Sequence, residues 1–426
     1  MFDSVQHIHF IGIGGAGMVS LAQIFHDMGK TVTGSDLIEN ENTDALKKRG
    51  IKIKLGHASD LPEKTEFVIY SAAVPHLNPE RKDAQEKKIP SLKRGEALAE
   101  IVNLFPISIA IAGSHGKTTT TAMLQHLLQQ LNLNPGYMIG GKVPGLEATG
   151  AFGDGKVFVT EVDESDGSQA LVHATVGIIL NMEDDHAWSH GGVQQLFACF
   201  QKFAKQTKHL LLNENLAENN LFDDHPNTLY VKEAPLTQAI RKVILGPHNR
   251  HNASFAIQAC EYLSIPPKEA LPNLLSFKGV DRRFKIHHEN SDSVILEDYA
   301  HHPTEVNVCL STIRESWPNH YCHVIFQPHR YERIKRYHRE FGKELSLADE
   351  LTLVSPFAAW VNDQDLEKPE IILESCSNQL KKSYSSLPFD LLVDQVITKN
   401  TRPVVYAILG AGDIDALIPK LLKRVK

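Results

Sequence analysis

Cysteine is scarce in this sequence and badly placed for cross-linking. The five thiols, Cys199, Cys260, Cys309, Cys322 and Cys376, are odd in number, scattered and never spaced as C-x-x-C, so the chain carries neither a disulfide framework nor a zinc-site pattern. They read as buried thiols. Long apolar runs are missing too. None approaches the length of a bilayer span, and the chain passes into a buried strand within ten residues of Met1. Neither membrane insertion nor a signal peptide is therefore expected, and the reading is cytoplasmic. An excess of positive charge is also absent: the net charge of -7 argues against a general nucleic-acid or membrane-surface binder. Fixed-period repeats and low-complexity linkers are lacking as well.

What is present is an ordinary soluble composition, 42% hydrophobic and 22% charged, in 426 residues, enough for two or three domains. From His7 to Ile13 an apolar run meets glycines, then Met18, Leu21, Ile24, Phe25 and Met28 at helical spacing, then Thr31 to Thr33; Phe67 to Tyr70 is a further short strand. The pattern restarts at Ile107 to Ala112, which leads through GSHGKTTTT into a helix and on to strands Val157 to Thr160 and Val176 to Leu180. It restarts again near Gly279, where Val294 to Leu296, Val324 to Phe326 and Val404 to Leu409 each end in a polar cluster. The fold class expected is α/β in three domains, 1–104, 105–280 and 281–426, with ligands at the carboxyl ends of parallel strands.

The glycines of HFIGIGGAGM, Gly12, Gly14 and Gly17, have the spacing of a dinucleotide loop, and Asp36 stands where a ribose-binding acid would stand, so an NAD-dependent oxidoreductase is one reading. A second phosphate loop competes with it. In Gly113 to Thr120, between a strand and a helix, backbone N–H groups can hold phosphate oxygens, Lys117 can neutralise them and Thr118 can ligate Mg²⁺. Ile111 stands where the usual first glycine of that motif would be. The next two strands end in TEVDESDGS and NMEDDHAW, which brings Glu161 and His186 to the same sheet edge; a solvated acidic face and a structural histidine are the plainer readings of each alone. Asn249 and Asn252 share one face of a helix starting in GPHNRHN, or cap it. Arg282 and Arg283 either pair with acidic side chains at the surface or reach a γ phosphate. EDYAHHPTE and FQPHRYER offer Glu297, Asp298, His301, His302, His329, Arg330 and Arg333; the arginines suit a carboxylate better than the histidines suit zinc. GAGD, Gly410 to Asp413, is a turn unless neighbouring loops make it a site.

Ten motifs in order, HFIGIGGAGM, TGSD, GSHGKTTTT, EVDESDGS, NMEDDH, GPHNRHN, GVDRRF, EDYAHHPTE, FQPHRYER and GAGD, resemble the Mur ligases of bacterial peptidoglycan synthesis nearly end to end. The resemblance is greatest to the branch that adds the first amino acid. It implies an N-terminal Rossmann-like domain for the UDP-sugar, a central P-loop ATPase-like domain and a C-terminal Rossmann-like domain for the amino acid. By the same resemblance, Gly14, Gly15, Ala16, Gly17, Met18, Ser35, Asp36 and Ser71 hold the UDP end of UDP-N-acetylmuramate. Gly113, Ser114, His115, Gly116, Lys117, Thr118 and Thr119 bind ATP with Asn249, Asn252, Arg283 and Asp298. Thr118, Glu161 and His186 are the metal-site residues for Mg²⁺, and Lys117, Glu161, His186 and Arg283 carry the chemistry. His302, His329, Arg330 and Arg333 face L-alanine or the muramyl carboxylate. The implied reaction is ATP-dependent activation of that carboxylate as an acyl phosphate, by a monomer or weak homodimer. Ala300 and the GGKVPG run from Gly140 resemble instead the related murein-tripeptide recycling ligase, Trp188 replaces a commonly acidic residue, and the segment from His209 to Gly246 is short for the family. A nucleotide-dependent regulatory protein without turnover is the non-enzymatic alternative.

Overall fold

The computed structural model describes the chain apart from residues 165, 185–190, 358–367, 398–399 and 426. Its described strands form three sheets. The first contains β1 (His7–Ile11), β2 (Thr31–Asp36), β3 (Lys52–Leu55), β4 (Phe67–Tyr70) and β5 (Ser91–Lys93), in the order β3-β2-β1-β4-β5 and all parallel. Because β1 lies between β2 and β4, the connections diverge beside its carboxyl end and leave a crevice there. The helix α1 (Ala16–Asp27) follows directly from the glycine loop, and its face of Leu21, Ile24 and Phe25 is fully buried.

The second sheet contains β6 (Ile107–Ala112), β7 (Gly136–Met138), β8 (Gly150–Ala151), β9 (Val157–Glu161), β10 (Val176–Ile179), β11 (His209–Asn213) and β12 (Thr228–Val231), in the order β12-β11-β10-β6-β9-β7-β8. It is parallel except for the short β7-β8 pair. β6 is buried continuously from Ser108 to Ala112, as a strand covered on both faces must be.

The chain divides into two compact units, Met1–Val243 with Arg250–Lys278, and Ile244–Asn249 with Gly279–Lys426. The first two sheets share one unit because their elements interlock. Gln23 of α1, almost fully buried, accepts the N–H groups of Thr149 at 3.1 Å and Gly150 at 3.0 Å. A Cβ at Gly150 would lie 2.3 Å from the Ser20 carbonyl oxygen, so only glycine permits this approach.

In the second unit, β13 (Lys285–Glu289), β14 (Ser293–Asp298), β15 (Tyr321–Phe326), β16 (Glu350–Val354), β17 (Lys381–Ser385) and β18 (Val404–Leu409) are ordered β13-β14-β18-β15-β16-β17. Side chains divide with the period of two: Val294, Leu296, Val324 and Ala407 enter one core, and Ile295, Ile325, Tyr406 and Ile408 the other. β18, last in the sequence, lies between β14 and β15, so the loops after these three strands emerge side by side.

Candidate functional site

The glycine loop after β1 is held by the end of β2. Gly12 and Ile13 donate to the Ser35 carbonyl at 2.8 and 3.0 Å, and the Gly14 N–H donates to Asp36 Oδ2 at 2.8 Å. Asp36 therefore braces the loop, whereas a dehydrogenase would turn that acid towards a ribose. Gly12, at φ 78°, adopts a backbone that favours glycine, with Ser71 Cβ 3.2 Å from where its own Cβ would be. Gly15 caps α1 without a side-chain bond, leaving the first-turn N–H groups of Ala16 and Gly17 without intrahelical acceptors, a natural anion cradle. Two of the expected residues turn inward instead. Met18 lies in the core, its N–H on the Gly15 carbonyl at 2.9 Å. The Ser35 hydroxyl, fully buried, donates to Glu80 Oε2 at 2.5 Å, an oxygen also 2.9 Å from His57 Nδ1.

The phosphate loop between β6 and the helix Lys117–Gln130 is short because β6 continues through Ile111 to Ala112. Gly113 (φ 142°) and Gly116 (φ 83°) make the turn. Gly116 is required twice over, since a Cβ there would lie 2.7 Å from Asn252 Oδ1. The segment after β10 laces the loop: the His115 N–H donates to Asn181 Oδ1 at 2.8 Å, Asn181 Nδ2 donates back to the His115 carbonyl at 3.0 Å, and the Glu183 N–H donates to Ser114 Oγ at 2.8 Å. Thr119, next along that helix, is buried. Thr118 Oγ1 donates to Glu161 Oε2 at 2.7 Å, so Glu161 does emerge beside the loop, as the strand endings predict. Lys117 curls back: its Nζ donates to the Gly113 carbonyl at 2.5 Å and lies 2.7 Å from Glu164 Oε2.

Glu164 is a residue that motif reading passed over, and so is Asn181. Burial pushes the Glu164 carboxyl up to about 7 against the pull of Lys117. For Lys117 burial works downward, but Glu164, Asp163 and Glu161 outweigh it and the ammonium is held above its usual value. His186 and Trp188 lie outside the described residues.

In the second unit three loops converge after β14, β18 and β15. The Gly410 N–H donates to the Asp298 carbonyl at 3.1 Å, and Gln327 Nε2 donates to Asp413 Oδ1 at 2.8 Å, so GAGD is tied to both neighbours. Arg282 is committed to this frame. It donates to the carbonyls of Gly410 (2.9 Å) and Gly412 (2.8 Å), lies 3.1 Å from Glu297 Oε1, and holds a left-handed φ of 64°. Arg283, by contrast, is a third exposed, stacked over Tyr299 at 4.7 Å and 3.7 Å from Glu305. Asp298 accepts from the Phe284 and Ala300 N–H groups, both at 2.7 Å, and burial raises it to about 7 despite Arg283. His329 stacks on Phe357 and lies 3.4 Å from Arg333 Nη1; burial, then the charges of His301, Arg333, Arg330 and Arg282, hold it down at about 3. It is neutral at pH 7. His302 is buried at the start of the helix Pro303–Ser316, edge-on to Tyr337. Arg330 precedes the helix Tyr331–Leu345, its N–H on the Phe357 carbonyl at 3.0 Å. Asn249 Nδ2 donates to the Leu245 carbonyl at 3.1 Å near the start of the helix Pro247–Tyr262.

Comparison with known proteins agrees with this geometry. Three family models match in order: "Mur ligase family, catalytic domain" over residues 7–106, "Mur ligase middle domain" over 111–233 and "Mur ligase, glutamate ligase domain" over 282–404. A UDP-N-acetylmuramate--L-alanine ligase of Bdellovibrio bacteriovorus is 32% identical over 96% of this chain and 97% of its own. That of Persephonella marina is 35% identical over 99% and 97%. Among solved structures, the UDP-N-acetylmuramate-alanine ligase of Thermotoga maritima superposes with a TM-score of 0.79 at 28% identity, covering 98% of this chain and 99% of that one. A murein peptide ligase of Psychrobacter arcticus, with a TM-score of 0.68 at 21% identity over 98% of both chains, shares the fold.

Proposed function

The chain belongs to the Mur ligase family, and from that premise we propose that it joins L-alanine to the lactyl carboxylate of UDP-N-acetylmuramate, with ATP as activating co-substrate, in cytoplasmic peptidoglycan precursor synthesis. The observation that carries this reading is coverage: relatives bearing that name match 96% to 99% of the chain at 31% to 35% identity, so all three sheets are shared. The NAD-dependent reading falls with the family assignment and with Asp36 already bonded to Gly14.

The domains proposed are 1–104 for the UDP-sugar, 105–280 for ATP and 281–426 for the amino acid. The lactyl carboxylate attacks the γ phosphate of ATP to give an acyl phosphate and ADP; the amine of alanine then attacks the acyl carbon and phosphate leaves. Two anions meet in the first step, so the backbone donors of Gly113 to Thr118 and the charge of Lys117 hold the phosphate oxygens, with Arg283 assigned to the same task. Lys117 exchanges Glu164 for phosphate as ATP enters. Asn249, Asn252 and Asp298 are assigned to the nucleotide. Thr118 and Glu161, a hydroxyl and a carboxylate 2.7 Å apart, are oxygen donors of the kind Mg²⁺ takes, so these residues fit the ion, and His186 is proposed as the third. When bound, the ion supplies charge neutralisation at the phosphates. Gly14 to Gly17, braced by Asp36, hold the diphosphate, with Ser71 beside them. His302, Arg330 and Arg333 hold alanine or the muramyl carboxylate. His329, kept neutral, serves there as a hydrogen-bonding group, and the amine proton goes to another histidine of the third domain.

The test is to mix the protein with ATP, Mg²⁺, UDP-N-acetylmuramate and a panel of amino acids and to measure phosphate. Alanine-dependent release is expected. Absence of release with every muramyl acceptor would sink the ligase reading, and release only with a murein tripeptide would transfer it to the recycling branch, to which Ala300 and the Gly140 run also point.

A further inference from the structure

Arg94 opens the helix Arg94–Val102, and none of the sequence motifs contains it. Its side chain, 13% exposed, lies against Gly17 in the first turn of α1: a Cβ at Gly17 would stand 2.7 Å from Nη1 and 2.8 Å from Cδ. The third glycine of the loop is thus small in order to admit this arginine. The opposite edge of the guanidinium faces the segment after β9. Nε donates to Asp166 Oδ2 at 3.2 Å, Nη2 donates to the same oxygen, and Nη2 lies 3.6 Å from Asp163 Oδ2. The next residue repeats the approach, since a Cβ at Gly95 would lie 2.7 Å from Ser168 Cβ. Among the described residues Nη1 has no hydrogen-bond partner, and it stands against Gly17, the second residue of α1.

The segment that Arg94 grips carries both acids of the phosphate loop, Glu161 on Thr118 and Glu164 on Lys117. One planar side chain therefore touches the diphosphate cradle with one edge and the ATP-side acidic segment with the other. We propose that Arg94 is a sugar-nucleotide-binding residue: Nη1 donates to a diphosphate oxygen of the UDP-sugar while Nε and Nη2 hold Asp166, so that occupancy of the glycine loop is felt at Lys117. This rests on the reading of that loop as the UDP-sugar site. A guanidinium suits the task because its fork of donors is rigid and always charged, whereas an ammonium presents one point of charge.

The experiment measures UDP-N-acetylmuramate binding by calorimetry to the full-length protein and to Arg94→Gln, Arg94→Lys, Gly17→Ala and Asp166→Asn, with and without a non-hydrolysable ATP analogue. Arg94→Gln is expected to weaken sugar-nucleotide binding about ten- to hundred-fold, the loss of a charge-assisted hydrogen bond, and to leave the analogue's own affinity unchanged. Arg94→Lys recovers part of the affinity. Gly17→Ala, whose methyl displaces Nη1, behaves like Arg94→Gln. Asp166→Asn keeps sugar-nucleotide affinity in the absence of nucleotide and loses the mutual effect of the two ligands, which in the wild type is equal in both directions. Wild-type affinity in both Arg94 variants, at unchanged melting temperature, overturns this inference alone. No binding of any UDP-sugar by the wild type overturns the family-based reading and this inference with it.

Discussion

Replacing Glu164 by glutamine tests whether the Lys117 ammonium is parked on an acid that ATP displaces. Glu164 is 2% exposed and Lys117 16%, with 2.7 Å between their charged atoms. At an effective dielectric of about 20 the gross attraction is roughly 6 kcal/mol, most of it cancelled by the cost of burying both charges. Lys117 also keeps the carbonyls of Gly113 and Ser114, so the variant does not strand it. We take about 2 kcal/mol as the net loss in the nucleotide-free protein. In the complex the phosphates replace Glu164, and the same 2 kcal/mol returns as binding: Glu164→Gln binds ATP about 30-fold more tightly than wild type. Its thermal transition drops without nucleotide and matches wild type at saturating nucleotide. A pH arm separates charge from shape. Glu164 sits at about 7, and withdrawal of Lys117 raises it further, so ATP binding takes up a proton above that pH. Wild-type affinity therefore falls as pH rises above about 7 relative to Glu164→Gln. Titration calorimetry in two buffers of different ionisation heat reads both quantities. Equal or weaker ATP binding by Glu164→Gln would refute the reasoning.

Lys117→Ala is expected to abolish nearly all amine-dependent phosphate release while leaving UDP-N-acetylmuramate binding intact; full activity would remove the assigned phosphate loop. Gly140→Ala places a methyl 1.7 Å from Glu161 Oε1, so the carboxylate must leave Thr118, and a higher Mg²⁺ requirement for turnover is expected at unchanged sugar-nucleotide affinity. An unaltered Mg²⁺ titration would show that Glu161 does not serve the metal. Asp298 is raised from 3.8 to about 7, so its contribution to stability is fully present below the unfolded value and lost as pH rises through the folded one. Urea unfolding of the wild type should weaken between about pH 4 and 7, and Asp298→Asn should flatten that slope; parallel slopes would contradict the burial argument.

Much of the fold was legible because α/β elements are written locally. Phe67 to Tyr70, Ile107 to Ala112 and Val404 to Leu409 are the observed limits of β4, β6 and β18, since apolar runs between turn residues mark buried strands whatever they pair with. The phosphate loop was legible for the same reason: strand, glycines, lysine and helix are contiguous. Met18 illustrates the limit of contiguity. It adjoins the glycines in sequence, yet the helical turn carries it into the core.

Sequence by itself determined the strand-loop-helix order, the two glycine loops and the candidate acids at strand ends, because each depends on neighbours a few residues away. Tertiary structure alone decided which distant groups meet. Sheet order placed β18 between β14 and β15, joining GAGD to Asp298 and Gln327. It set Glu164 against Lys117 and Asp36 on Gly14, and carried Arg94, 72 residues from Asp166, onto both Gly17 and that acid. Such pairings follow from strand adjacency and from where a missing Cβ leaves room, and neither is written in the local pattern of residues.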